Sequence, residues 1–210
     1  MVLGLGIMLS ATVPAFAADI VDQEVFDARW TGFYAGVFGG YHAGDITNSD
    51  CVGVCPADPE YRSWGGGIKA GYDYEFSNNV VLGAYALVPL WADQDSFSIF
   101  NGALTFTYEP KFVASLGARL GYDIGYGLLP YIGGGYTVAR IEANDGLQSI
   151  DVTHHGVHLA VGLEYLLTDN VSTDLRYTHY RLGKEVYDFG VPSTWGENAN
   201  AISVGVNYRF

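Results

Sequence analysis

Basic residues are scarce in this chain. Its 210 residues hold 10 Lys and Arg against 23 Asp and Glu, a formal net charge of −13. That sign disfavours nucleic-acid binding, which needs cations to neutralise phosphates. Long hydrophobic runs are missing too, since beyond the N-terminus no stretch approaches the ~20 continuous apolar residues of a spanning helix. Cysteine is nearly absent, with only Cys51 and Cys55, in "CVGVCPADP". A metal site needs more ligands than this pair offers. Catalytic motifs are lacking as well. Ser, His and Asp occur, but in no strand-turn-helix context. "GGGIKAG" and "IGGGYTVAR" lack the spacing of a phosphate loop. No enzyme, metal or cofactor is expected.

What the chain does have is glycine, tyrosine and alternation. It carries 28 Gly and 16 Tyr, and 49% of it is hydrophobic. The N-terminal "MVLGLGIMLSATVPAFAAD" reads as a secretory signal peptide, with an apolar run and an Ala15-Phe16-Ala17 small-x-small site. Residues 1–17 are therefore expected to be removed, residues 18–30 to form a periplasmic tail, and residues 31–210 to fold. Secretion implies an oxidising compartment, where Cys51 and Cys55 are expected to pair.

Eight segments of alternating residues follow, at 32–42, 63–76, 80–90, 107–123, 131–141, 152–167, 171–181 and 198–210. Connections after the second, fourth and sixth are short; the others are long, polar and acidic. In the fourth segment Phe112, Ala114, Leu116, Ala118, Leu120 and Tyr122 share one face, while Lys111, Val113, Ser115, Gly117, Arg119, Gly121 and Asp123 share the other. A soluble sandwich or lipocalin-like barrel would need the large face inside, and eight strands cannot enclose those rings. Turned outward, the rings meet lipid, and closure satisfies every backbone group in the bilayer. The expected fold is all-β: a closed, up-and-down, eight-stranded antiparallel transmembrane β-barrel with a polar lumen filled by side chains. Tyr41, Tyr72, Tyr74, Tyr122, Tyr165, Tyr208 and Phe210 would form its interfacial girdle.

The lumen is expected to hold Lys69, Lys111, Arg119, Arg176 and Arg209 against Asp73, Glu75, Asp123, Glu164 and Asp174, five against five, all paired. The charge then lies elsewhere. The tail contributes −3, Asp169 −1, and the long loops −9 (thirteen acids against Arg62, Arg140, Arg181 and Lys184), which sums to −13. Acidic loops above a lipopolysaccharide leaflet can share divalent cations with its phosphates; a merely soluble loop face is the plainer account. His42, His154, His155 and His179 fall near loop ends and are candidate haem ligands.

"WTGFYAGVFGGY" (30–41), "GARLGYDIGYGLLPYIGGGY" (117–136), "VGLEYLLTDNVSTDLRYTHY" (161–180) and "VGVNYRF" (204–210) resemble the Omp25/Omp31-type outer-membrane proteins of alphaproteobacteria, within the OmpA/OmpX-like group of eight-stranded barrels. The resemblance covers nearly all of the mature chain. It implies an envelope protein of the bacterial cell outer membrane, associated with lipid and lipopolysaccharide, with termini periplasmic and long loops extracellular. A monomer is favoured. Some members are described as porins and some relatives as haemin-binding surface proteins. Two positions depart from the family pattern: Tyr85 stands where an inward Glu is common, and Phe38 where a polar residue is. Both make the lumen bulkier. Val206, Tyr208 and Phe210 resemble the C-terminal aromatic signal read by the barrel-assembly machinery. An envelope-structural role is expected first, a small porin second, and a haem- or host-ligand-binding surface protein third.

Overall fold

The computed structural model describes residues 28–48, 60–92, 95–99, 104–144, 146–188 and 192–210. The expected signal peptide, most of the expected tail, and Cys51 and Cys55 lie outside them. The described residues form β1 (Gly32–Asn48), β2 (Glu60–Glu75), β3 (Val80–Ala92), β4 (Asp95–Ile99), β5 (Leu104–Tyr122), β6 (Leu128–Asn144), β7 (Ser149–Leu166), β8 (Val171–Asp188) and β9 (Pro192–Arg209). Every pairing is antiparallel. Strand β1 pairs with both β2 and β9, and a β3–β5 ladder completes the ring, so eight long strands close a barrel. The short β4 lies outside the eight alternating segments and, among the described residues, pairs along the far end of β5, Asp95↔Tyr108 to Ile99↔Leu104.

The tight connections fall where alternation stopped. Asn79 takes a left-handed conformation (φ 64°) in the turn between β2 and β3, and Gly125, Tyr126 and Gly127 (φ 85°, 57° and 73°) make the one between β5 and β6. At the opposite end the strands run further than their alternation indicated. The connections between β6 and β7 and between β8 and β9, read as long loops, are short links on extended strands, because β6 reaches Asn144 and β8 reaches Asp188.

The outward face is apolar along the middle of the wall. Val37 pairs with Ile68 on one side and Val206 on the other, and Leu163 pairs with Leu175. Leu116 and Leu159 are each 67% exposed, a surface that only lipid makes favourable. Trp64, Trp91, Tyr41 and Tyr136 mark the loop end of this belt, and Phe33, Tyr72, Tyr74, Phe76, Tyr208 and Phe210 its turn end. The rings at the turn end meet edge to face, Tyr74 on Phe76 and Tyr208 on Phe210, with centroids 4.8 and 5.0 Å apart.

Beyond the belt the pattern reverses. Arg140, Asp151, Thr153, His155, His179, Arg181 and Asn200 face outward and are exposed. Inside, Ile46, Ala139, Ile141, Ala143, Leu182, Tyr187, Trp195 and Ala199 form an apolar core. The lumen is therefore not polar throughout, as expected from the sequence. It is polar within the belt and apolar past it, because the strands there meet water on their outer face and must bury apolar side chains within.

Candidate functional site

The polar tier of the lumen is built on four groups. Arg119 on β5 donates from Nε to Asp73 Oδ1 (2.8 Å) and from Nη1 to Glu164 Oε2 (2.7 Å). Arg209 on β9 donates to Asp73 Oδ2 (2.7 Å) and Glu164 Oε1 (3.1 Å). Two guanidinium groups and two carboxylates thus alternate around a ring, each side chain 5% exposed or less. Ser172 and Asn207 donate further hydrogen bonds to Glu164. Rings close the space around the charges. Arg119 lies between Tyr34 and Tyr131 (4.8 and 5.1 Å to the centroids), and Arg209 between Trp30 and Tyr34 (4.9 and 5.3 Å). Glycines opposite make room. A Cβ on Gly162 would come within 2.5 Å of the Tyr131 ring, and one on Gly117 within 2.7 Å of Tyr85. Lys69 pairs directly with Asp174.

Trp30, assigned by sequence to a tail, is fully buried and packs on Val81 and Leu129 at the turn end. Its N–H donates to Glu75 (3.0 Å), and its carbonyl accepts from Arg209. The expected pairing of five bases with five acids is accordingly corrected in three places. Glu75 accepts a backbone N–H rather than a lumen cation. Asp123 lies 3.6 Å from Arg29 and accepts from the N–H of Gly125. Lys111 is not a buried lumen base: a bulge between Pro110 and Phe112 breaks the alternation, and Lys111 sits at the rim beside Glu109 (2.9 Å) and Glu142 (3.6 Å).

Arg176 departs from the expectation in another way. It is buried, yet no carboxylate among the described residues pairs with it. Its Nη2 donates to Tyr85 Oη (2.7 Å), its Nε to Thr178 Oγ1 (3.1 Å), and its guanidinium lies 4.4 Å from the Tyr85 ring centroid. From Tyr85 a chain of hydrogen bonds runs to His158 (2.8 Å), then Thr137 (2.9 Å) and Ser115 (2.8 Å). Above this layer lies a cavity of about 190 Å³, lined by Arg176, Lys69, Leu87, Ser115 and Val113 among others.

The four candidate haem ligands are divided by the barrel wall. His154 points inward, fully buried, and bonds to Tyr187 Oη (2.7 Å) and the Gly183 carbonyl (2.9 Å). His42 also points inward, toward Tyr180. His155 and His179 lie on the outer face, against Tyr136 and Asn200. The structure does not bring the four into one set, and among the described residues no three His, Cys, Asp or Glu side chains are placed to hold a metal ion. Burial, helped by the Glu197 and Glu185 carboxylates, pushes the Tyr187 hydroxyl well above its ordinary pKa, so it remains protonated. Val206, Tyr208 and Phe210 all face outward, and the Phe210 N–H bonds to the Phe33 carbonyl (2.9 Å). Sequence reasoning missed Trp30, Tyr34, Tyr131, His158 and Glu197 as lumen residues. The last four sit on the inward parity of their strands, and that was their signal.

The chain is similar to several known proteins. It is 26% identical to the 25 kDa outer-membrane immunogenic protein of Brucella abortus, over 97% of this chain and 94% of that protein. It is 28% identical to the 31 kDa outer-membrane immunogenic protein of Brucella melitensis, over 93% of each. Among solved structures, Neisserial surface protein A matches with a TM-score of 0.56 at 19% identity, over 86% of this chain and 98% of that one. OprG from Pseudomonas aeruginosa matches with a TM-score of 0.51 at 12% identity, over 88% and 99%. These two likenesses bear on the fold, which is that of outer-membrane barrels. The outer membrane protein beta-barrel domain family matches residues 3–210, the charged lumen and the lipid-facing belt are what such a barrel requires, and the chain belongs to that family.

Proposed function

We propose that this outer-membrane barrel serves the envelope structurally, as a sealed wall element that presents its extended strands at the cell surface, with no catalytic role and no open channel. One observation carries the reading: the ring of Arg119, Asp73, Arg209 and Glu164, packed between Trp30, Tyr34 and Tyr131, is buried and bonded across the lumen. In an eight-stranded barrel the interior is just wide enough for side chains, and here those side chains are bonded to one another. The turn end then faces the periplasm and the extended strands face outward. The lipid and lipopolysaccharide of the outer membrane are the surroundings of the belt, and the acidic extracellular connections hold divalent cations jointly with lipopolysaccharide phosphates. The monomer is the working unit.

Reconstitution in planar bilayers tests the seal. No stable conductance steps are expected from the folded protein, and ohmic steps would overturn the reading in favour of a small porin. The haem-binding alternative draws no support from histidines on opposite faces of the wall. The barrel-assembly machinery is the proposed partner during insertion, reading Val206, Tyr208 and Phe210. Deleting Phe210 should lower the amount of barrel in the outer membrane several-fold, measured in membrane fractions; unchanged amounts would remove that assignment.

A further inference from the structure

The barrel wall has a window. The β3–β5 ladder ends at Leu87↔Ser115. Strand β3 nevertheless continues to Ala92, still paired to β2, and β5 extends back to Leu104, still paired to β6 as far as Thr107. Pairing on this side of β5 resumes only at Asp95↔Tyr108, with β4. Among the described residues, Val88–Ala92 and Glu109–Ala114 therefore face one another without a ladder. Each rim carries a proline, Pro89 and Pro110, which cannot donate to a ladder. Each rim also carries a bulge, with Leu90 the extra residue in β3 opposite Gly66/Gly67 and Lys111 the extra residue in β5.

The window lies at the loop end of the lipid belt. Leu90, Trp91 and Phe112 on its rims are exposed on the outer face. The same residues line the cavity of about 190 Å³ above the charged tier, together with inward Leu87 and Val113. The cavity is thus lined by residues of both faces of the wall. At the inner end of this space is Arg176. It stacks on Tyr85, two residues before the last ladder residue Leu87, or about 7 Å along the strand. The cavity lining carries three cations, Lys69, Lys111 and Arg176, against two carboxylates, Asp174 and Glu197. Lys69 is held by Asp174 and Lys111 by Glu109 and Glu142, while Glu197 lies toward His42 and Tyr187, so Arg176 is the lining cation to which no carboxylate among the described residues is bonded.

We propose that this cavity binds a single-chain anionic amphiphile, its carboxylate on Arg176 and its alkyl chain leaving through the window into the outer leaflet. An apolar pocket with one placed cation fixes such a ligand by its head and tolerates variation in its tail. The guanidinium suits a carboxylate in particular, because its planar N–H groups match the two oxygens. This goes beyond a sealed structural barrel and does not require transport, since the charged tier lies beneath the site.

The test uses folded protein in non-ionic micelles, carrying Trp64→Phe and Trp195→Phe so that Trp91 at the rim reports, with Trp30 remote at the turn end. A terminally brominated medium-chain fatty acid should quench Trp91 saturably. Arg176→Gln should weaken that quenching roughly tenfold or more, the size of a lost charged hydrogen bond. Val113→Phe, which fills the cavity, leaves Arg176 in place and adds no tryptophan, should abolish it. Both variants must retain heat-modifiable gel mobility, so that misfolding is not read as lost binding. A brominated alkane without the carboxylate should give no saturable quenching. Equal binding by folded Arg176→Gln, or saturable quenching by the alkane, would overturn the proposal. Saturable quenching by a brominated phospholipid but not by the fatty acid would assign the site to leaflet lipid and overturn the single-chain occupant.

Discussion

Along one strand, β6, the barrel changes solvent. In the belt Ile132 and Tyr136 face out while Thr137 faces in; a turn of the pattern later Arg140 faces out while Ala139, Ile141 and Ala143 face in. Strand β7 repeats the reversal, with Leu159 outward and His158 inward in the belt, but Thr153 and Asp151 outward beyond it. The lower part is a membrane barrel and the upper part is built as a soluble one, in continuous strands with a continuous ladder. Backbone pairing therefore does not depend on which face is greasy. The side chains alone record where the lipid ends.

That contrast can be broken from the inside first. Glu164→Ala strands Arg119 and Arg209 in the belt lumen with one acceptor fewer each, and should cost ~3–5 kcal/mol, the usual penalty for a buried charge left unpaired. Denaturant unfolding followed by gel mobility checks it; a loss under about 1 kcal/mol would show that water reaches the tier. From the outside, Leu159→Arg should cost ~2–4 kcal/mol, because it puts a cation on lipid. Thr153→Arg, on the same strand and the same face, should stay within about 0.5 kcal/mol. Equal penalties at the two sites would mean that the belt extends over the whole wall. Small as well is Arg140→Ala, which breaks the exposed pair with Asp151 (2.8 Å). It should change stability by about 0–1 kcal/mol and less still at high salt.

How far the sequence carried these conclusions differs between the two regions. In the belt, period two separates Leu159, Val161 and Leu163 from His158 and Glu164 without ambiguity, so strands, closure and most of the charged tier were legible. Two kinds of feature were not. Parity fails at a bulge, and Lys111 was assigned inward because nothing local marks the extra residue between Pro110 and Phe112. Partners across the lumen are set by three-dimensional placement: that Arg176 would meet Tyr85 rather than a carboxylate depends on residues 91 positions apart. Past the belt the alternation persists but its meaning inverts, and a pattern that ignores which solvent is present ended the strands too early at Ile141 and Arg181. Trp30 carried no periodic signal at all, standing two positions ahead of Gly32, where β1 begins.

The reach of Arg209 has a consequence for how the molecule forms. Its guanidinium, on β9, joins Asp73 on β2, 136 residues away, and the carbonyl of Trp30, 179 residues away. Those bonds cross the seam where β9 meets β1. Contacts so distant in sequence are slow to find one another, and until the seam shuts they have no substitute in hydrocarbon. The seam is thus a latch held by charge. A partly zipped barrel would offer its carboxylates and guanidinium groups to the lipid, so insertion and closure are driven to happen together, and reopening the finished barrel at this seam breaks the bonds of Arg209 to Asp73 and Trp30.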